Sequence, residues 1–243
     1  MKKVNSELEK RINELEQEKK HLLKLVSHDV KSPFNKLFAL SNLLQMTSNN
    51  LNEEQLDYLN RMDWVIKEGL TVVRNLMDLR AIDQNNIELS LEQLNFNSIV
   101  SDNIKNYSKQ TLVKNININE NLTKVTIWSD KKLLERIIDQ LISNSIKFTP
   151  INYSVQLNLT QESNNIVFSI KSESGPLDPE EITKLFHKNT SISIRPTHGE
   201  SALGNGLYIA QAYANKLGGI IEANQEEKMV GFILTLPIKE AVS

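Results

Sequence analysis

The apolar residues Leu8, Ile12, Leu15, Leu22 and Val26 are spaced by alternating steps of four and three, with Lys19 the single polar interruption. That spacing is a heptad seam. It commits residues 2 to about 48 to one long helix, and the Glu- and Lys-rich flanks leave that helix weak without a partner. A break follows at Ser48-Asn49-Asn50. Asn52 then fits an N-cap, Glu53 and Glu54 suit the positive helix end, and Gln55 stands where a capping box needs it. Leu56, Leu59, Met62, Val65, Ile66, Val73, Leu76 and Met77 keep a helical period to about Ile82. The two helices predict an antiparallel hairpin. One hairpin has little interior of its own, so two copies forming a four-helix bundle, a homodimer, are expected.

Asp83 to Asn97 is polar and asparagine-rich and reads as an interdomain linker, with its core at 85–97. Beyond it the pattern mixes helix and strand. A helix is expected over Ser98 to Lys109, and another from an N-cap at Asp130 through Ile146 to a stop at Thr149-Pro150. Tyr153, Val155, Leu157 and Leu159 alternate with polar residues, Ile166, Phe168 and Ile170 do the same, and a strand pair closes the chain near 219–224 and 229–238. One apolar and one wet face predict an antiparallel or mixed sheet covered by helices on one side. The fold class is therefore α+β: a helical hairpin followed by an α/β sandwich.

Composition narrows the chemistry. Twenty-eight Lys and Arg against 30 Asp and Glu give a net charge of −2, so no whole-protein field attracts nucleic acid or anionic lipid. The absence of cysteine excludes disulfides, thiolate metal sites and a cysteine nucleophile. No apolar run is long enough to span a bilayer, and Lys2 and Lys3 stand where a signal peptide needs an apolar core nearby. A cytoplasmic chain without direct membrane contact is expected, anchored in the full-length protein if a membrane segment precedes it. Six of the eight glycines fall between 175 and 219, which marks that region for unusual backbone.

Ser27-His28-Asp29-Val30-Lys31-Ser32-Pro33-Phe34 lies within the first helix. A near-neutral imidazole can act as a nucleophile, and Asp29 can orient it or take its proton. Pro33 removes the amide that would bond the Asp29 carbonyl, at about 3 kcal/mol.

This segment resembles the phosphoacceptor box of the sensor histidine kinases: histidine, an acidic residue, a basic residue, then Ser-Pro. The resemblance extends along the chain. Residues 135–150, with Gln140, Asn144, Lys147 and Phe148, resemble the family's asparagine box. Pro179 to Phe186 resembles its phenylalanine box, and Ser193 to Glu200 with Gly204-Asn205-Gly206-Leu207 resembles its lid and second glycine box. The resemblance divides the chain into a coiled-coil signalling helix (1–20), a dimerisation and phosphoacceptor domain (21–84), the linker, and a GHKL-type ATP-binding domain (98–243). It implies catalytic roles for His28, Asp29 and Ser32. It implies magnesium at Asn144, phosphate contact at Lys147, and close approach of the lid backbone to phosphates at Gly204 and Gly206. Phe148, Ser172, Gly175 and Leu207 complete the implied ATP site.

The departures gather on that site. The family's first glycine box is roughly Asp-x-Gly-x-Gly, and its aspartate accepts from the adenine amino group. Counting back from Pro179 without a gap puts Ser172 at the aspartate, Ser174 at the first glycine and Pro176 at the second. Strand alternation turns Glu173 away from the face shared by Ile166, Phe168, Ile170 and Ser172. Gln140 replaces an asparagine, Asn189 an aromatic, and Ala202 and Asn205 a glycine and a leucine. The resemblance implies ATP-dependent autophosphorylation of His28 and transfer to an aspartate of a response-regulator receiver domain, under an upstream sensor domain or protein. The departures leave open a degenerate kinase acting as a dimeric phosphotransfer or phosphatase module, or as a docking scaffold for a response regulator.

Overall fold

The computed structural model describes residues 2–190, 193, 195–197 and 204–238; before Val30 it describes the side chains of residues 10, 11, 14, 15, 17 and 18. The chain divides into two units, Met1–Asn86 and Ile87–Ser243.

The first unit is a pair of helices, α1 (Lys2–Thr47) and α2 (Glu53–Asp83). α1 runs through Pro33 without a break in its assignment. The expected capping box is present: Gln55 N–H donates to Asn52 Oδ1 at 2.8 Å, and Asn52 N–H donates to Gln55 Oε1 at 3.0 Å. Gln45 Nε2 donates to Asp63 Oδ2 at 3.1 Å and the Lys67 ammonium stands 5.7 Å from the centre of the Phe38 ring, so the helices pack side by side. Leu59, Ile66 and Val73 are buried, but Leu37, Leu40, Leu43, Met46, Val65 and Met77 are exposed. A two-helix unit cannot cover that much apolar surface by itself. The side chains of the expected seam residues Leu8, Ile12, Leu22 and Val26 lie outside the described residues.

The second unit begins earlier than expected. β1 (Leu91–Asn95) falls within the segment read as linker and pairs antiparallel with β3 (Thr126–Asp130). The buried side chains of Leu94 and Phe96 tie this segment to the core, against its asparagine-rich composition. α3 (Phe96–Asn106) starts two residues before the expected helix because Asn95 caps it, and Tyr107 ends it. α4 (Ser108–Val113) follows. β2 (Asn117–Leu122) was not foreseen; it is an exposed edge strand whose asparagines hide a strand pattern.

α5 (Lys131–Phe148) matches expectation, with Asp130 Oδ1 accepting from Leu133 N–H at 3.0 Å and Thr149 at its C-cap. β4 (Ser154–Glu162), β5 (Asn165–Glu173), α6 (Pro179–Lys184), α7 (Gly206–Lys216), β6 (Ile220–Glu226) and β7 (Met229–Pro237) complete the unit. The five-stranded sheet has the order β2-β4-β5-β7-β6. Only β2–β4 is parallel, so the sheet is mixed, as its one-sided patterning predicts. Leu157, Leu159, Phe168 and Ile170 of the sheet and Leu134, Ile137, Ile138 and Leu141 of α5 are all fully buried and form the core. Apolar burial of this extent is the main force holding helix to sheet.

Candidate functional site

A pocket opens beside the C-terminal half of α5. Asn144, Ser145 and Phe148 of α5 form one wall. Ser172 and Ser174, two apart at the end of β5, form the second, with Leu207 from the first turn of α7 beside them. Leu177, Leu185, Val230 and Phe232 supply the apolar remainder. Four residues expected at the site, Asn144, Phe148, Ser172 and Leu207, thus converge from segments that lie far apart in sequence. Alternation along β5 puts Ser172 on the buried face and leaves Glu173 on the other, as the strand period requires.

Asn144 Nδ2 donates to the Gln140 carbonyl at 2.8 Å, one turn back, and its Oδ1 has no partner among the described residues. A partnerless amide oxygen suits a hard cation that keeps most of its ligands as water and phosphate. No cluster of three or more His, Asp or Glu able to hold a metal occurs among the described residues.

The other expected residues surround the pocket without lining it. Gly206 begins α7 where a Cβ would overlap the Gln140 amide, so any larger residue there would have to displace that side chain. Gly204 has φ +65°, and a Cβ there would collide with the Thr190 carbonyl. Gly204→Ala is therefore expected to displace the start of α7 and weaken nucleotide affinity at least tenfold, read by calorimetry; unchanged affinity would remove this residue from the site. Gly175 also has a positive φ, in the loop after β5. The Lys147 carbonyl accepts from the Thr197 N–H and hydroxyl, both at 3.1 Å. Thr197 Oγ1 also donates to the Thr149 carbonyl at 2.9 Å. The buried Lys114 ammonium donates to the Ile146 and Lys147 carbonyls at 2.6 and 3.1 Å, which suits the negative end of α5. Of the expected lid, residues 194 and 198–203, including Ala202, lie outside the described residues. Ser193 donates to Glu181 through its N–H at 2.6 Å and its hydroxyl at 2.8 Å, which holds that carboxyl below its usual range.

A buried polar chain backs the α5 wall. Tyr107 donates to Asp139 Oδ1 at 2.6 Å, and Arg136 pairs with Asp139 Oδ2 at 2.7 Å. Arg136 also reaches the Gln140 amide, whose oxygen accepts from Nη1 and Nη2 at 2.7 and 3.1 Å. Burial, then the charge of Asp139, raises the Tyr107 phenol far above its ordinary value and keeps it a donor.

Ser145, Ser174, Leu177, Leu185, Val230 and Phe232 were not assigned to the site from sequence. Ser174 was signalled by the β5 alternation and Ser145 by its place beside Asn144; Val230 and Phe232 needed the sheet register, which sets Val230 opposite Ser172, and Leu177 and Leu185 come from the loop and helix after β5. In the first unit, His28 and Asp29 lie on α1, but their side chains are outside the described residues. Ser32 lies one turn on and is half-buried.

Residues 129–240 match the family model of the histidine kinase-, DNA gyrase B- and HSP90-like ATPases. The match lies within the C-terminal unit and covers most of it. This ATPase domain sits in a chain homologous to sensor histidine kinases: the heme sensor protein HssS of Staphylococcus aureus is 24% identical over 227 residues, 93% of this chain and 48% of that protein. The chain thus spans about half the length of the curated relatives it matches. Two solved structures share the fold. The Acinetobacter baumannii histidine kinase AdeS covers 88% of this chain and 98% of its own, with a TM-score of 0.60 at 17% identity. Full-length ShkA in complex with AMPPNP covers 92% of this chain and 47% of its own, with a TM-score of 0.67 at 21% identity. The pocket of this domain lies where α5, the end of β5 and the start of α7 meet. Among the described residues, no helix is long and apolar enough to cross a membrane.

Proposed function

We propose that this chain is the transmitter of a two-component sensor histidine kinase, which moves the γ-phosphoryl group of ATP to His28 and from there to a receiver-domain aspartate. One observation carries the reading: in a domain of the ATPase family, residues from three separated motifs converge on one pocket, and the same chain carries a histidine box on a helical hairpin. The imidazole nitrogen of His28 attacks the γ-phosphorus as the bond to the ADP oxygen breaks, and the ring loses its N–H proton. Asp29 orients the ring or receives that proton, and Ser32 serves the reverse step by positioning water against the receiver's aspartyl phosphate. Asn144 Oδ1 is the protein ligand for magnesium, which when bound supplies charge neutralisation to the phosphates. Lys147 contacts phosphate, Gly204 and Gly206 admit it, and Phe148, Ser172, Gly175 and Leu207 hold the nucleoside.

The exposed apolar residues of α1 and α2 support a homodimeric four-helix bundle, within a domain spanning 21–84 that follows the signalling coil. A receiver domain on a response regulator accepts the phosphoryl group, and a sensor domain or protein acts upstream. Phosphorylation on the cytoplasmic side follows from the need for ATP. The test is labelling with [γ-³²P]ATP and magnesium. An acid-labile, base-stable label is expected on the protein and absent from His28→Gln, whereas label persisting in that variant would overturn the assignment.

A further inference from the structure

Among the described residues, the pocket wall that would meet a base holds no charged side chain; its polar groups there are the hydroxyls of Ser172, Ser174 and Ser145. Ser172 and Ser145 are each 2% exposed, and Ser145 Oγ has no hydrogen-bond partner among the described residues. An unpartnered buried hydroxyl is costly, and a bound group that satisfied it would recover that cost. Glu173, the nearest acidic side chain in sequence, lies on the opposite face of β5 and cannot act as the acceptor.

We infer, resting on the nucleotide-binding reading above, that this pocket reads the edge of a purine through serine hydroxyls and so accepts 6-oxo as well as 6-amino purine nucleotides. A carboxylate only accepts, so it fixes the partner as a donor. A hydroxyl both donates and accepts, and its proton rotates to suit. Passing from adenine to hypoxanthine inverts the edge: the 6-amino donor becomes a 6-oxo acceptor, and N1 changes from acceptor to N–H donor. A carboxylate site would face an oxygen and lose its bond. Two rotatable hydroxyls meet either edge with no group left unpaired. Strong discrimination against an analogue arises where a buried polar group is left without its partner, and rotatable hydroxyls remove that penalty. The flat walls of Phe148, Leu207 and Phe232 grip either ring equally well.

The measurement is calorimetric affinity of the whole chain for ATP and for ITP with magnesium, since ITP changes the edge without the added 2-amino group of GTP. The two dissociation constants are expected within about tenfold of each other. In Ser172→Asp the ratio is expected to exceed about a hundredfold in favour of ATP. In Ser145→Ala, which removes the hydroxyl without adding charge, both affinities fall by a similar factor. Natural protein that binds ATP more than a hundredfold tighter than ITP would overturn the inference and leave the kinase reading standing. Protein that binds neither nucleotide would overturn both.

Discussion

Asp139→Ala is expected to destabilise the ATPase domain by about 3–5 kcal/mol, the range for breaking a buried ion pair by removing one partner. Arg136 is only 7% exposed at its side chain, and Asp139 is its ion-pair partner at 2.7 Å. The truncation also takes the acceptor from the Tyr107 hydroxyl. The buried Arg136 and the half-buried Tyr107 lose a partner at once, so the effect exceeds that of a surface pair, which is worth less than about 1 kcal/mol. Asp139→Asn separates the two contributions, because it keeps an acceptor for Tyr107 and removes the charge; its loss is expected to be smaller. Urea unfolding followed by circular dichroism reads both variants. A loss below about 1 kcal/mol for Asp139→Ala would mean that Arg136 finds compensation in the variant. The chain of contacts also reaches Gln140, which stands against Gly206 and whose carbonyl holds Asn144, so surviving protein should bind nucleotide less tightly.

Asn144→Ala is expected to leave the fold intact and to reduce His28 labelling by roughly 10²–10³-fold, the scale seen when one preorganised electrostatic group is removed from a reacting centre. The side chain is half-buried and makes one recorded bond, to a carbonyl on its own helix, so little packing is lost. What is lost is the amide oxygen that the proposed function assigns to magnesium. Labelling rates over a magnesium titration, with circular dichroism as the check on folding, decide the matter. Labelling within threefold of the natural protein would show that the metal is held elsewhere.

Much of the architecture was legible because strong local signals agreed with tertiary packing. Asn52 with Gln55, and Asp130 before Leu133, are caps whose chemistry is complete within four residues. The alternation through Ile166, Phe168, Ile170 and Ser172 was equally local, and it placed Ser172 in the pocket and Glu173 outside it. β2 was not legible, since Asn117, Asn119 and Asn121 are poor strand formers and its pairing with β4 crosses an intervening strand and helix. β1 was hidden for a related reason: Leu94 and Phe96 are buried by partners far along the chain. At the site, Asn144, Phe148, Ser172 and Leu207 were found through the motifs that carry them, whereas Ser145 and Leu185, inside motifs, and Val230 and Phe232, contributed by register, were not. The Tyr107–Asp139–Arg136 chain escaped because its members are ordinary surface types whose burial only the packing of α3 on α5 creates.

Thr197 is seated on the carbonyls of Lys147 and Thr149, and Lys114 on those of Ile146 and Lys147. Main-chain oxygens are common to every amino acid. Mutational drift at 146, 147 or 149 therefore leaves this seat in place as long as α5 ends where it does. The geometry of the loop's anchorage is inherited through the backbone, while the side chains facing the ligand remain at liberty to diverge. A lineage can thus rewrite what its pocket recognises without first rebuilding this anchorage.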